Sequence, residues 1–285
     1  MPFEAFVTFV DMLGFADLVE DEGGDLGDLN PILRSVELYS PSPGSSLLGN
    51  RFVNFHRCLQ SARTKMQEAG SGTAIIFSDS AYLALENLDL AMDVARSLMY
   101  SLVVSDVPAR MGIAHGSFRG LYFGNDSSDQ LAVHMSQFLG TGVVRAFETE
   151  RCGLPGLRIL LHPNLEPLVD RSTHRVVTVT DRLQRAPQVQ SELNYLETDV
   201  SFAGPHYDDV ILFDSLRTLQ IQAGDALWYH YEATFKALNV MREQFGDAPY
   251  PWEKYLDRDA FEKAQKIEPE PYKANHVYPK RVVRS

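Results

Sequence analysis

Two carboxylates close β-rich runs in this sequence, and each is followed by residues that turn the chain. Asp11 ends Val7-Thr8-Phe9-Val10 and leads into Met12-Leu13-Gly14-Phe15; Asp79 follows Thr73-Ala74-Ile75-Ile76-Phe77-Ser78 and precedes Ser80. Either Asp alone reads most simply as a turn or cap residue. Carried together on adjacent strands of one sheet, they can grip divalent metal ions, and a Gly just past the first lets backbone amides approach phosphates. That combination suits chemistry on a nucleoside triphosphate.

The surrounding elements must hold the pair in place. Phe6–Val10 reads as a strand, and Ala16–Glu20 as the start of a helix after the Gly14 turn. Residues 21–50, with Gly23, Gly24, Gly27, Pro31, Pro41, Pro43, Gly44 and Gly49, read as a loop insertion containing a short helical piece near Ile32–Leu38. From Arg51 to Ala69 the spacing of Phe52, Phe55, Leu59, Ala62 and Met66 gives one apolar stripe on a helix. Thr73–Phe77 and Ala81–Leu85 are the arms of a hairpin whose tip presents Asp79.

Leu88–Val104 is a second amphipathic helix, Pro108–Phe118 a strand, Leu131–Gly140 ambiguous, Thr141–Glu150 a helix and Arg158–Leu161 a strand. This order describes an α+β protein with helices packed on a mixed or antiparallel sheet. Residues 1–165 form the expected core and 166–285 a C-terminal extension. The extension reads as strands at Arg175–Val179 and Asp209–Phe213, a long helix near 226–245, and a Pro-rich tail with a short helix at Arg258–Lys266.

Composition narrows the classes of function. The 285-residue chain carries a net charge of -12, which argues against coating nucleic acid, since that task needs clustered Lys and Arg. Cys58 and Cys152 are its two cysteines, so there is no Cys-rich metal or disulfide framework. No run approaches the roughly 18 apolar residues of a membrane span, and no basic region precedes an apolar one at the start. The expectation is a cytoplasmic protein without membrane or nucleic-acid partners. His115 and His134 lack metal-ligand spacing and read as ordinary hydrogen-bonding residues.

Four segments, in order, resemble the class III nucleotidyl cyclases. Asp11-Met12-Leu13-Gly14-Phe15 is similar to the first metal motif of that family, and Phe77-Ser78-Asp79-Ser80 sits where its second metal Asp occupies a hairpin tip. Arg110-Met111-Gly112-Ile113-Ala114-His115-Gly116 resembles its Arg-x-Gly-Ile-x-x-Gly strand. Gly140-Thr141-Gly142-Val143-Val144-Arg145-Ala146 resembles the opening of its dimerisation helix. The segments span roughly residues 3–165.

The resemblance implies a cyclase-like, ferredoxin-like palm for the fold. It also implies two ions, Mn²⁺ or Mg²⁺, held by Asp11 and Asp79 with the Met12 carbonyl as a third donor. The amides of Leu13, Gly14 and Phe15 would hold the β- and γ-phosphates. A head-to-tail homodimer would share two active sites between its chains. Phe9, on the strand before Asp11, reads as core or as a ring facing the ribose or base.

Two departures from the family pattern refine the expectation. Adenylate-forming members have a Lys four residues before the second Asp and an acidic residue seven before the helix Asn, and these read the purine; here those places hold Ile75 and Gln137. The Gln137 amide can pair with a carbonyl and an imino group, and the set looks like the pyrimidine cyclases of bacterial Pycsar anti-phage systems. That likeness implies conversion of UTP to cyclic UMP, with CTP to cyclic CMP next, as a messenger for a separate effector. A purine cyclase and a non-catalytic nucleotide-binding domain remain alternatives. The family's transition-state Asn and Arg are replaced by Val144 and Glu148, which leaves Arg145 as the candidate for the missing positive charge.

Overall fold

The first β-rich run lengthens into β1 (Phe3–Met12), the strand around which the rest is organised. A computed structural model of the protein describes residues 3–23, 46–70, 72–123, 135–179, 186–196, 209–223, 225–246 and 248–250. After β1 come α1 (Phe15–Asp21), α2 (Leu47–Glu68), β2 (Thr73–Ile76), β3 (Ser80–Leu85), α3 (Leu88–Val104) and β4 (Ala109–Phe123). They are followed by β5 (Met135–Leu139), α4 (Thr141–Glu150), β6 (Ile159–Leu161), α5 (Arg171–His174) and β7 (Val176–Thr178). The last elements are β8 (Ser191–Leu193), α6 (Asp209–Gln222) and α7 (Asp225–Gln244).

The strands lie in the order β2-β3-β1-β4-β6-β8-β7, with β5 paired to the distal part of β4. β1 runs antiparallel to both β3 and β4, and β2 antiparallel to β3. The run β1-α2-β2-β3-α3-β4 therefore builds the spatial order β4-β1-β3-β2, the ferredoxin-like split arrangement expected from the sequence. Strands β7 and β8, from beyond residue 165, hydrogen-bond onto β6 and extend the same sheet.

Strand alternation divides the core into two layers. Val10 and Met12 point into the larger cluster, with residues of α2, α3, α6 and α7. Ala5, Val7 and Phe9 point the other way, into a smaller cluster with Val143 and Ala146 of α4. Asp11 continues this second set, so the first carboxylate belongs to the face that α4 covers.

Glycine makes that cover close. A Cβ on Gly112 of β4 would lie 2.3 Å from the Ala146 carbonyl oxygen and 2.6 Å from the Glu150 nitrogen, both on the α4 backbone. Gly112→Ala should consequently lift the helix and cost about 1–3 kcal/mol. A melting temperature unchanged in this variant would refute the close-approach account.

Several boundaries differ from expectation for identifiable reasons. α2 begins at Leu47, inside the segment read as an insertion, because the Ser46 hydroxyl caps it by accepting from the Gly49 amide at 2.9 Å. The expected strand Asp209–Phe213 is instead the first part of α6. Its β-branched start suggested a strand, but Leu212, Phe213, Leu216 and Leu219 are buried at helical spacing. The ambiguous stretch before α4 contains β5. The expected helical pieces at Ile32–Leu38 and Arg258–Lys266, and His134, lie outside the described residues.

Candidate functional site

The sheet register sets the two carboxylates side by side. Asp11 is paired with Ser80 across β1 and β3, and the Met12 amide donates to the Asp79 carbonyl at 2.8 Å. Asp79 sits in the tight turn between β2 and β3, which the Phe77 amide closes by donating to the Ser80 carbonyl at 2.8 Å. His56 of α2 reaches the Ser78 carbonyl at 3.3 Å and ties the hairpin tip to the helix layer.

Electrostatics show how crowded this end of the sheet is. The Asp11 carboxyl is pushed up from 3.8 to about 7, first by burial, then by the charges of Glu150 and Asp79, with Arg110 and Arg151 acting in the opposite direction. A divalent cation would relieve this concentration of negative charge. Among the described residues no group of three or more His, Cys, Asp or Glu side chains is arranged to hold a metal by itself. The two neighbouring carboxylates fit the one or two that Mg²⁺ commonly takes from a protein.

The shift also has a consequence for stability. A carboxyl whose folded pKa is raised favours folding fully below its unfolded pKa, near 4, and loses that contribution as pH rises through about 7. Metal-free Asp11→Asn should therefore melt roughly 5 °C above the parent at pH 8 and close to it at pH 4. Parallel melts in chelator check this, and equal melting at pH 8 would refute it.

The other expected site residues are placed unevenly. Met12 buries its side chain in the larger core cluster, and its amide is taken by Asp79, which restricts any metal role to its carbonyl. The Leu13 amide donates to the Pro108 carbonyl at 2.9 Å, so one of the three expected phosphate-holding amides is already engaged. Gly14 has φ 71° and ψ 16°, a left-handed conformation that suits Gly, and Phe15 begins α1 directly after it.

Phe9 does not offer a ring face. It is 4% exposed, with Tyr82 at 4.6 Å and Phe147 at 5.3 Å between ring centroids, so it is core packing. Gln137 lies on β5 opposite Leu121 of β4. Ile75 lies on β2 opposite Tyr82 and packs against the cluster beneath α4.

Arg145, expected to act across the shared site of a head-to-tail dimer, is held within its own chain by the neighbouring strand. Its guanidinium donates to the His115 carbonyl at 3.1 Å, toward the end of β4 away from Arg110. On the same helix Val144 is 54% exposed and Glu148 is exposed, so these are the side chains that α4 turns outward. At roughly 100° per residue, Arg145 lies about 100° from Val144 and about 60° from Glu148 around the helix.

Four contributors were not singled out from sequence for this site. Glu150, with a fully buried side chain, accepts from Arg110 Nε at 2.6 Å, while Arg110 also donates to the Leu154 carbonyl at 3.1 Å. Arg151 lies over the Phe147 ring at 4.5 Å and brings positive charge toward Asp11. A Cβ on Gly14 would lie 2.8 Å from Leu227 of α7, so the extension braces the turn after Asp11. His230 of α7 accepts from the Gly156 amide at 3.0 Å, and burial with the nearby Arg110 charge pushes its pKa down to about 4. No local pattern announces these contacts, although the acidic end of α4 three residues beyond Phe147 was open to inspection.

No protein-family profile and no curated protein matches the chain. Solved structures do. A bacterial light-regulated adenylyl cyclase is similar at 14% identity and TM-score 0.44 over 77% of this chain, which spans 59% of that protein's length. The adenylyl cyclase CyaB from P. aeruginosa is similar at 15% identity and TM-score 0.42, over 68% of this chain and 95% of that one. The guanylate cyclase domain of RhGC from Catenaria anguillulae, solved in complex with GTP, is similar at 10% identity and TM-score 0.44, over 66% and 93% respectively. Among the described residues no helix is long and apolar enough to cross a membrane.

Proposed function

We propose that the chain is a pyrimidine nucleotide cyclase that converts UTP to 3′,5′-cyclic UMP and pyrophosphate, with CTP the next preference. The observation that carries this reading is the placement of Asp11 and Asp79 on neighbouring antiparallel strands, joined by the Met12 to Asp79 hydrogen bond of 2.8 Å. Two divalent ions held there would lower the pKa of the attacking 3′-hydroxyl and neutralise the polyphosphate. The chain's own part is to fix the two carboxylates, through the Phe77–Ser80 turn and the His56 contact, and to present the Gly14–Phe15 turn beside them.

An apolar Ile75, packed against the cluster beneath α4, stands where adenylate-forming members of the resembled family carry a Lys, and this supports a pyrimidine. The resemblance to anti-phage pyrimidine cyclases extends the reading to a homodimer whose product activates a separate effector. Residues 1–165 would be its catalytic core, with the extension supporting it through Leu227.

A specific observation favours one second reading. With Arg145 bound to the His115 carbonyl and Val144 and Glu148 turned outward, the helix offers no amide or guanidinium from those outward positions. A nucleotide-binding domain without turnover would look the same. Incubation of the protein with Mn²⁺ and each of the four triphosphates, followed by mass spectrometry, separates the possibilities. A cyclic product from one pyrimidine triphosphate is expected. Product from ATP or GTP alone overturns the pyrimidine assignment, and no product from any favours the binding domain.

A further inference from the structure

Two residues before Asp79, Phe77 leaves 44% of its surface exposed at the lip of the candidate site. An aromatic ring on a turn is usually free to swing, but this one is wedged. Its centroid lies 6.0 Å from Phe138 and 6.5 Å from Tyr82, edge-on to the latter at 84°, and those two rings lie 4.9 Å from each other. The Phe77 amide is fixed by the 2.8 Å bond to the Ser80 carbonyl, so ring and carboxylate ride on one rigid turn. Three rings thus form a compact group with one member open to solvent, while the neighbouring Phe9 is covered.

We infer that the exposed Phe77 ring, backed by Phe138 and Tyr82, is the platform on which the base of the nucleoside triphosphate stacks. This rests on the reading of Asp11 and Asp79 as the polyphosphate and metal grip. Phe77 and Asp79 lie two residues apart in one hydrogen-bonded turn, so their backbones are within about 7 Å of each other, which leaves the ribose to bridge a phosphate held at Asp79 and a base lying on Phe77. Stacking needs a flat, apolar, pre-ordered surface, and the wedged ring supplies it with little rotamer entropy left to lose. Such a platform accepts any base by its π-face, so it supplies affinity; choice among bases falls to polar groups at the base edge.

The test compares Mn²⁺-dependent binding of inorganic tripolyphosphate, UTP and CTP to the full chain by calorimetry. The parent should bind the nucleotides about tenfold or more tighter than tripolyphosphate, and Phe77→Ala should erase that difference while leaving tripolyphosphate affinity unchanged. Phe77→Trp should keep nucleotide affinity and add a fluorescence signal, above that of the two native Trp residues, that nucleotides quench and tripolyphosphate does not. Nucleotides binding the parent no tighter than tripolyphosphate would overturn the platform and leave the phosphate grip standing. So would an Ala variant that alters oligomeric mass but not nucleotide affinity. Absence of any metal-dependent tripolyphosphate binding would overturn the grip, and the platform with it.

Discussion

Asp79→Asn is expected to lower formation of the cyclic nucleotide by about a thousandfold or more while leaving the fold intact. The amide matches the carboxylate in size, and Asp79 is partly exposed in a turn whose closing bond is made by the backbone of Phe77 and Ser80. Nothing in that turn's backbone depends on the charge. On the proposed reading the substitution removes one of two anionic ligands, and a single carboxylate left on β1 would not hold a pair of ions against the polyphosphate. Any Mn²⁺-induced rise in melting temperature should shrink in parallel, whereas the metal-free melt should match the parent's or slightly exceed it, since the Asp79 charge no longer raises Asp11. Retention of more than a tenth of parental turnover would refute the two-carboxylate grip.

That pair was legible because its signals are local. A β-rich run ended by Asp and Gly, and a short apolar run turning at Ser78-Asp79-Ser80, each announce a strand and its end within ten residues. The glycine pattern of β4 was visible as a motif, and its physical reason appears only once α4 is seen lying on Gly112. The misread element, α6, failed for the opposite reason. A five-residue window at Asp209–Phe213 shows β-branched composition but not the helical spacing that continues to Leu216 and Leu219.

The site's supporting residues were not legible, since each acts across a long stretch of chain. Glu150 meets Arg110 across 40 residues, His56 meets Ser78 across 22, and His230 meets Gly156 across 74. Sequence periodicity reports which face of an element is apolar and is silent about which distant polar group completes a pair. The three-residue strand β8 is likewise too short to display a period of two, whereas β7 falls inside the strand read at Arg175–Val179; together they complete the sheet on the far side of β6.

The Arg110–Glu150 pair should dominate the stability of the end of the sheet that carries Asp11. The Glu150 side chain is 0% exposed and that of Arg110 13%, with a contact of 2.6 Å, so neither group has bulk water to fall back on. Arg110→Met removes the cation but leaves the carboxylate buried beneath α4, beside Asp11, where a second negative charge is already felt. Loss of one partner from a buried pair costs about 3–5 kcal/mol, mostly as the penalty on the charge left behind. The double variant Arg110→Met/Glu150→Leu should recover much of that loss, because it removes both charges and keeps apolar volume under the helix. Urea denaturation of the parent, both single variants and the double gives the coupling energy directly. A single Arg110→Met variant within 1 kcal/mol of the parent would mean that water reaches Glu150. In that case the rise of the Asp11 carboxyl to about 7, set first by burial and next by the charge of Glu150, would lose the part that Glu150 contributes.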